Sequence, residues 1–250
     1  ELKAAADELS AETGAEIIPI AADLTTPNDA ENFVDKAVEH FGRADILVNN
    51  AGSAPGGVIE TLTEEDWALS LQLKFMGYVR CTKAVLPHMQ RQGHGRIVNL
   101  IGNDGIKHSY WEIAPGAANA AGQNFTMSMA GRYGKDNISF VAVNPGPVRT
   151  ERWAGLVEGM ARDMKLSIEE ADQLAPRSIP LGRIAETVEV ANFNKYVAEH
   201  DPSEFIMATG YITGGLKPLI NKVNVEEKIP WLDGSYSTEI FGEDGGPEKY

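Results

Sequence analysis

The sequence predicts an α/β fold, a doubly wound parallel sheet with helices on both faces. Short apolar segments recur along the chain, and segments with apolar residues at helical spacing separate them. The chain has 250 residues, of which 43% are hydrophobic, which suits one domain with a sizeable core. A Pro145-Gly146 corner follows the apolar segment 139–143, as expected where a ligand lies over the carboxyl ends of the strands.

The charge and cysteine content narrow the classes of partner. A net charge of −14 disfavours nucleic acid and anionic membrane surfaces, because like charges repel. Cys81 is the single cysteine, so no internal disulfide can form and a reducing, cytoplasmic location is expected. No apolar run approaches the ~20 residues that a membrane span requires. The expected ligand is therefore a small molecule.

Strand and helix patterns alternate along most of the chain. Gly14 and Gly42 follow two of the helical patterns, as is usual at helix ends. The predicted elements are, in order, a helix over 1–13, a strand over 16–22, a helix over 29–41, a strand over 45–48, a helix from Thr63 to about Met89, a strand over 95–101, a helix over 116–134, a strand over 139–143, a helix over 187–198 and a strand over 205–213. This alternation is typical of βαβ units.

Two segments depart from the alternation. Residues 151–178 contain many charges, two methionines and Trp153, and predict helices without a strand. A substrate lid or an ordinary surface helix pair fits this segment. Residues 222–250 form an acidic tail that carries Trp231, Tyr236 and Phe241 and would either dock on a neighbouring subunit or remain disordered. Residues 1–221 are therefore assigned to a single domain, with the tail outside it.

Four motifs resemble those of the short-chain dehydrogenase/reductase family. They occur in the family's order and spacing as Asp23-Leu24, Asn49-Asn50-Ala51-Gly52, Pro145-Gly146-Pro147-Val148-Arg149-Thr150 and Ile179-Pro180-Leu181-Gly182-Arg183. The resemblance covers about residues 1–215. It implies a Rossmann-like fold and an NAD(P)-dependent oxidoreductase that interconverts a hydroxyl and a carbonyl group. The cofactor-binding residues that it implies are Asp23, Leu24, Asn50, Ala51, Gly52, Ile101, Pro145, Gly146, Val148 and Thr150.

One family unit is missing from this sequence. The family begins with a strand, a Gly-rich turn that holds the pyrophosphate, a helix and a second strand. A natural truncation, a processed chain or a sequence that begins part-way into a longer protein would each explain the difference. The start at Glu1-Leu2-Lys3 reads as a helix interior, which favours the last explanation. The choice between NAD and NADP depends on that second strand and stays open.

The family's catalytic positions also differ. Counting from Gly95 and from Pro145 places the family's Ser, Tyr and Lys at Gly102, Pro115 and Asn119. Glycine and proline side chains cannot transfer a proton. A fourth family position, normally Asn, is Lys74 in this chain.

A relocated catalytic group is therefore one hypothesis. Tyr110 would enter the cleft as proton donor, Lys74 would supply the lost positive charge, and Ser109 would assist. Asn103 and Asp104 are further polar candidates in the same loop. The alternative is that Tyr110 is a surface aromatic residue and Lys74 a solvated helix residue.

Two functions follow from these observations. The first is the oxidoreductase described above, acting on an unknown, possibly bulky or apolar substrate. The second is a catalytically degenerate subunit that pairs with an active partner or only binds a ligand. Small residues at 116–122 and the helix that follows Trp67 imply, by resemblance, a homodimer or homotetramer, and a heteromer with an intact homologue stays open. The histidines show no metal-ligand spacing, so no metal site is expected.

Overall fold

The computed structural model describes residues 1–179, 181–199 and 209–212. Four parallel strands form one sheet in chain order, β1 (Ile46–Asn49), β2 (Gly95–Leu100), β3 (Ile138–Pro145) and β4 (Thr209–Ile212). In the register, Val98 lies opposite Val48 on one side and Val141 on the other. The prediction of an α/β fold with a parallel sheet is confirmed.

Helices connect the strands and lie on both faces of the sheet. They are α1 (Leu2–Thr13), α2 (Pro27–Phe41), α3 (Glu64–Leu69), α4 (Met76–Gln92), α5 (Ile113–Tyr133), α6 (Glu151–Met164), α7 (Ile168–Asp172), α8 (Leu174–Ser178) and α9 (Thr187–Glu199). Successive side chains of a strand point to opposite faces of the sheet. Ile97 and Phe140 accordingly pack against Met89 of α4, whereas Val98 packs against Val197 of α9.

The predicted helix from Thr63 to Met89 is continuous in the structure but changes its winding. Thr63 caps α3 by accepting from the Asp66 backbone N–H, and the Asp66 carboxylate accepts from the Thr63 N–H at 2.9 Å. Residues Ser70–Phe75 then form a π-helical stretch before α4 begins. Such stretches are rare and occur often at functional sites. This one contains Lys74.

The predicted strand over 16–22 is not formed, which corrects the sequence analysis. These residues are irregular, and β1 is the outermost strand of the sheet on that side. A strand is stable only beside a hydrogen-bonded neighbour, and no described residues pair with this segment. Ile46 and Val48 of β1 are 47% and 45% exposed in consequence.

A buried polar network joins the sheet to two helices. The Asn49 side-chain amide donates to Asn99 Oδ1 at 2.7 Å, and the Asn99 amide donates to Thr126 Oγ1 at 2.8 Å. Asn49, Asn99 and Thr126 are each no more than 4% exposed. Satisfied buried networks of this kind fix one arrangement of the elements that they join. Asn49 therefore aligns the carboxyl end of β1, from which the segment 50–57 departs.

Residues 151–178 contain three helices and no strand. Trp153, Val157 and Ala161 of α6 pack against Ala171 of α7, and the Trp153 indole N–H donates to Asp172 Oδ1 at 2.6 Å. The role of this segment as a lid stays a prediction. The acidic tail 222–250 lies outside the described residues, and β4 falls within the predicted strand 205–213, whose other residues are also outside them.

Candidate active site

A cavity of about 260 Å³ opens at the carboxyl ends of β1, β2 and β3. Its walls come from the segment 50–56, the π-helical stretch, the loop 102–112 and the start of α6. The lining residues are Asn50, Gly52, Ala54, Gly56, Lys74, Tyr78, Leu100, Ile101, Gly102, Asn103, Asp104, Glu112, Pro115, Pro145, Gly146, Pro147, Val148, Thr150, Arg152, Trp153 and Leu156. This is the edge at which doubly wound sheets bind ligands.

Seven of the ten residues predicted to bind cofactor line this one cavity. They are Asn50, Gly52, Ile101, Pro145, Gly146, Val148 and Thr150. Ala51, Asp23 and Leu24 lie outside the lining. The Asp23 carboxylate accepts from the Thr25 backbone N–H at 2.9 Å and from its hydroxyl at 2.7 Å, and these hydrogen bonds lower the pKa of Asp23. The Leu24 carbonyl accepts from Arg80 at 3.0 Å.

Trp111 fixes the loop that forms one wall of the cavity. It is 4% exposed, and its indole N–H donates to Asp163 Oδ2 of α6 at 2.9 Å. A side chain at Gly56 would collide with its ring, and a Cβ at Gly159 would lie 3.0 Å from it. The Gly57 backbone N–H donates to the Trp111 carbonyl at 2.7 Å. Trp111 therefore joins the loop to the segment after β1 and to α6.

The structure does not bring Tyr110 into the cavity, so the predicted Tyr110–Lys74 pair is not formed. Tyr110 is 67% exposed, whereas the adjacent Trp111 is buried against α6 and lies outside the cavity lining. Ser109 also lies outside the lining, and its hydroxyl accepts from the Glu112 backbone N–H at 3.3 Å. Lys74 does line the cavity.

Two carboxyl groups meet in the cavity instead. Glu112 and Asp104 are hydrogen-bonded to each other through their side chains. Burial, followed by the negative charge of Asp104, raises the pKa of Glu112 to about 7. Burial also raises the pKa of Asp104, although the nearby Lys74 charge opposes that rise. Glu112 therefore retains a proton up to near neutral pH, and the two neighbouring carboxyl groups titrate as a pair.

Sequence reasoning considered Asp104 only as a nearby polar residue and missed Glu112. A signal was present, because Glu112 lies three residues before Pro115, the position expected for the family's Tyr. In a helix, residues three apart lie on the same face. Glu112 is the residue that precedes the first turn of α5, so it and Pro115 can both reach the cavity.

Two cations flank the carboxyl pair. Burial lowers the pKa of Lys74 to about 8, and the charges of Asp104 and Glu112 partly counteract this effect. Arg152 of α6 donates to the Ala54 carbonyl at 2.7 Å and interacts electrostatically with Asp104. Lys74 is thus mostly protonated at pH 7 and opposes the negative charge of the pair.

The profile of the short chain dehydrogenase family matches residues 1–161. The chain belongs to this family. A curated member, the (2S)-[(R)-hydroxy(phenyl)methyl]succinyl-CoA dehydrogenase subunit BbsD of Thauera aromatica, is 29% identical over 86% of this chain and 82% of its own length.

Solved structures of dehydrogenases and reductases have the same fold. NAD⁺-bound xylitol dehydrogenase has a TM-score of 0.81 and 26% identity, over 86% of this chain and 84% of its own. An actinorhodin polyketide ketoreductase variant with NADPH has a TM-score of 0.79 and 30% identity, over 86% of this chain and 83% of its own. These family members are oxidoreductases.

The resemblance assigns the family's catalytic positions to Gly102, Pro115 and Asn119, whose side chains cannot exchange protons near neutral pH. Gly102 and Pro115 line the cavity. Asn119 is 1% exposed, and neither its amide nitrogen nor its carbonyl oxygen has a hydrogen-bond partner among the described residues. A Cβ at Gly102 would lie 2.8 Å from Asn119 Nδ2, so this amide sits directly behind the cavity wall.

The described residues contain neither a membrane-spanning helix nor a cluster of metal ligands. None of their helices is long and apolar enough to cross a membrane. Within the same ranges, no group of three or more His, Cys, Asp and Glu side chains could hold a metal ion.

Proposed function

We propose that this protein is an NAD(P)-dependent oxidoreductase that interconverts a hydroxyl and a carbonyl group on a small molecule. The observation that carries the proposal is the single cavity that gathers seven of the ten predicted cofactor residues at the carboxyl ends of the strands. The relatives support it, since solved members with this fold are described with NAD⁺ or NADPH bound.

The residues present fit the nicotinamide end of such a cofactor. Gly52, Gly102 and Gly146 line the cavity without side chains, which leaves space for a flat ring. The Asn119 amide, which is buried and has no hydrogen-bond partner among the described residues, lies directly behind Gly102. The described residues supply no Gly-rich helix start for the pyrophosphate.

The positions of the lining residues indicate which of them would contact the nicotinamide and which the substrate. Asn50, Gly52 and Ile101 would face one side of the nicotinamide, and Pro145 to Thr150 the other. When bound, the cofactor supplies a hydride to the substrate carbon or accepts one from it. Trp153 and Leu156 of α6 are apolar lining residues on the lid side, and they would contact a bulky or apolar substrate.

Cofactor binding tests this function directly. Titration of the protein with NADH and with NADPH, followed by nicotinamide fluorescence and calorimetry, should give saturable binding by one of them near the micromolar range, roughly −8 kcal/mol. The variant Gly52→Val places a branched side chain where a Cβ would already lie 3.2 Å from Lys74, and it should weaken that binding. A folded protein that binds neither nucleotide would contradict the proposal.

We also propose a cytoplasmic homodimer or homotetramer, assembled through α5. Exposed residues recur on this helix at intervals of three and four, at Ala117, Ala120, Asn124, Met127 and Gly131. Small residues in such a stripe allow a second helix to approach closely. Sedimentation velocity at micromolar concentration should show a dimer or larger species. A bulky charged variant, Ala120→Arg, should shift it towards monomer, and a wild-type monomer at all concentrations would contradict this assembly.

A further inference from the structure

The proposed reaction needs a proton donor, and the family's tyrosine is absent. Four described lining residues carry protons that could be exchanged, namely Lys74, Tyr78, Asp104 and Glu112. A donor for carbonyl reduction must be protonated near neutral pH and must lose its proton readily when charge develops on the substrate oxygen. These two requirements exclude Tyr78 and leave Lys74, Asp104 and Glu112.

Tyr78 meets only the first requirement, because it is protonated near neutral pH but does not lose its proton readily. Its hydroxyl donates to the Leu100 carbonyl at 2.6 Å, and the residue is 2% exposed. Burial raises the pKa of Tyr78 well above its ordinary value. Its proton is therefore held by the backbone, and its phenolate form is strongly disfavoured.

We propose that the Asp104–Glu112 pair is the acid–base group of this enzyme, and that Glu112 delivers its proton to the carbonyl oxygen of the substrate. The proposal rests on the oxidoreductase function above. Both carboxyl groups line the cavity that holds the predicted nicotinamide residues, and each is hydrogen-bonded to the other. Glu112 is the protonated member, because burial and the Asp104 charge both disfavour its ionised form.

The backbone around Glu112 is held in place. Its N–H donates to Ser109 Oγ at 3.3 Å, and its carbonyl accepts from the Gly116 N–H at 2.8 Å in the first turn of α5. An isolated parallel β-bridge also pairs Glu112 with Gly57. Buried Trp111 immediately precedes it. The carboxyl group is thus presented from a fixed segment, as a catalytic group requires.

Lys74 lies in the π-helical stretch and interacts electrostatically with both carboxyl groups. Its positive charge lowers the pKa of both carboxyl groups, which makes the Glu112 proton easier to release. It also favours negative charge on the substrate oxygen during the reaction. Lys74 is therefore assigned an electrostatic role, and the proton itself is assigned to Glu112.

The step balances as follows. In reduction, a bound NADH or NADPH would supply the hydride: a C–H bond of the reduced cofactor would break, a C–H bond to the carbonyl carbon would form, and the carbonyl π pair would move to oxygen. The Glu112 O–H bond breaks, and an O–H bond to the substrate forms. Glu112 is left as a carboxylate beside Asp104, and water reprotonates it. In oxidation the Glu112 carboxylate accepts the hydroxyl proton instead.

The pH dependence has a definite sign in each direction. Reduction requires protonated Glu112, so its rate should fall as the pH rises through about 7. Oxidation requires the carboxylate, so its rate should rise over the same range. A wholly structural role for the pair would not produce opposite profiles.

The decisive variant is Glu112→Gln, which keeps the shape of the side chain but cannot transfer a proton. We expect NADH or NADPH binding to be unchanged. Acetoacetyl-CoA, acetophenone and fructose serve as carbonyl probes. For the probe that the wild type reduces, we expect kcat to fall by about 10²- to 10⁴-fold and the pH profile of kcat to become flat. Glu12→Gln on exposed α1 is the matched control and should retain wild-type kcat.

A second readout does not depend on turnover. NMR of protein labelled with ¹³C at glutamate carboxyl groups should show one carboxyl that titrates near pH 7, and this signal should be absent from Glu112→Gln. Asp104→Asn should move its midpoint down, because it removes a negative neighbour, and Lys74→Met should move it up.

The outcomes distinguish this proposal from the function on which it rests. A wild-type protein that binds neither nucleotide, or that reduces none of the probes, overturns the oxidoreductase function and this proposal with it. A wild-type enzyme that binds and reduces, while Glu112→Gln retains its kcat and profile, overturns only the role of Glu112. The absence of any carboxyl that titrates near neutral pH also overturns that role.

Discussion

Replacing Trp111 with alanine should lower the free energy of unfolding by about 3–5 kcal/mol. The ring is 4% exposed, and it contacts Gly56 on the segment after β1 and Gly159 on α6. Its removal would leave a cavity between the loop 102–112, the segment after β1 and α6. It would also leave Asp163 without the indole N–H that donates to it at 2.9 Å. Urea denaturation followed by circular dichroism measures this change.

The adjacent residue provides a matched control. Tyr110 is also aromatic, but it is 67% exposed, so Tyr110→Ala should change the free energy of unfolding by less than ~0.5 kcal/mol. Trp111→Phe keeps most of the ring and loses the hydrogen bond to Asp163, and it should cost about 1 kcal/mol from that bond, plus a smaller packing loss. If Tyr110→Ala were as destabilising as Trp111→Ala, the orientation of this loop would be wrong.

The residues at the strand ends are the part of the site that the sequence could predict. The spacing of the apolar segments predicted the strands β1 to β3, because their hydrophobicity reflects burial on both faces of a parallel sheet. The order of the strands then fixed the edge at which Asn50, Gly52 and Pro145 would meet. Those residues lie directly at strand ends, so the fold alone decides their position.

The conformation of the loop 102–112, by contrast, could not be predicted from the order of the strands. Its conformation depends on which of two adjacent aromatic residues is buried, and that choice depends on Gly56 and Gly159, which lie far away in the sequence. The local sequence pattern does not reveal contacts between residues that lie far apart in the chain. For the same reason the pairing of Asp104 with Glu112 was not predicted, since the two residues are brought together only when Trp111 is fixed.

The strand predicted over 16–22 failed for a related reason. Its composition is suitable for a strand, because it contains the β-branched residues Ile17, Ile18 and Ile20. Strand formation, however, requires a partner, and the exposed side chains of Ile46 and Val48 mark the side of the sheet where none is described. Composition predicts a tendency to form a strand, and pairing decides whether the strand exists.

Replacing Gly102 with serine, the residue that the family has at this position, should lower the free energy of unfolding by about 2–4 kcal/mol, the sum of backbone strain and a steric collision. Gly102 has a φ of 124° and a ψ of 145°, a conformation that residues with a Cβ rarely adopt. A Cβ at this position would also lie 2.8 Å from Asn119 Nδ2. Urea denaturation again measures the loss.

Two companion variants separate the causes. Gly155→Ser is the control, because a Cβ at Gly155 on α6 meets nothing within 4 Å, and its effect should be within ~0.5 kcal/mol of zero. Combining Gly102→Ser with Asn119→Ala removes the collision but leaves the backbone strain. The double variant should therefore be more stable than the sum of the two single changes predicts.

The result bears on how the catalytic groups of this chain differ from those of its family. If Gly102→Ser is strongly destabilising, the backbone at this position has changed along with the side chain, and the family's Ser, Tyr and Lys cannot be restored by substitution alone. Proton transfer then depends on groups presented from the rearranged loop, which is where Glu112 lies. If Gly102→Ser were as stable as the wild type, this conformation would not be a constraint, and the case for a rearranged site would rest on the carboxyl pair alone.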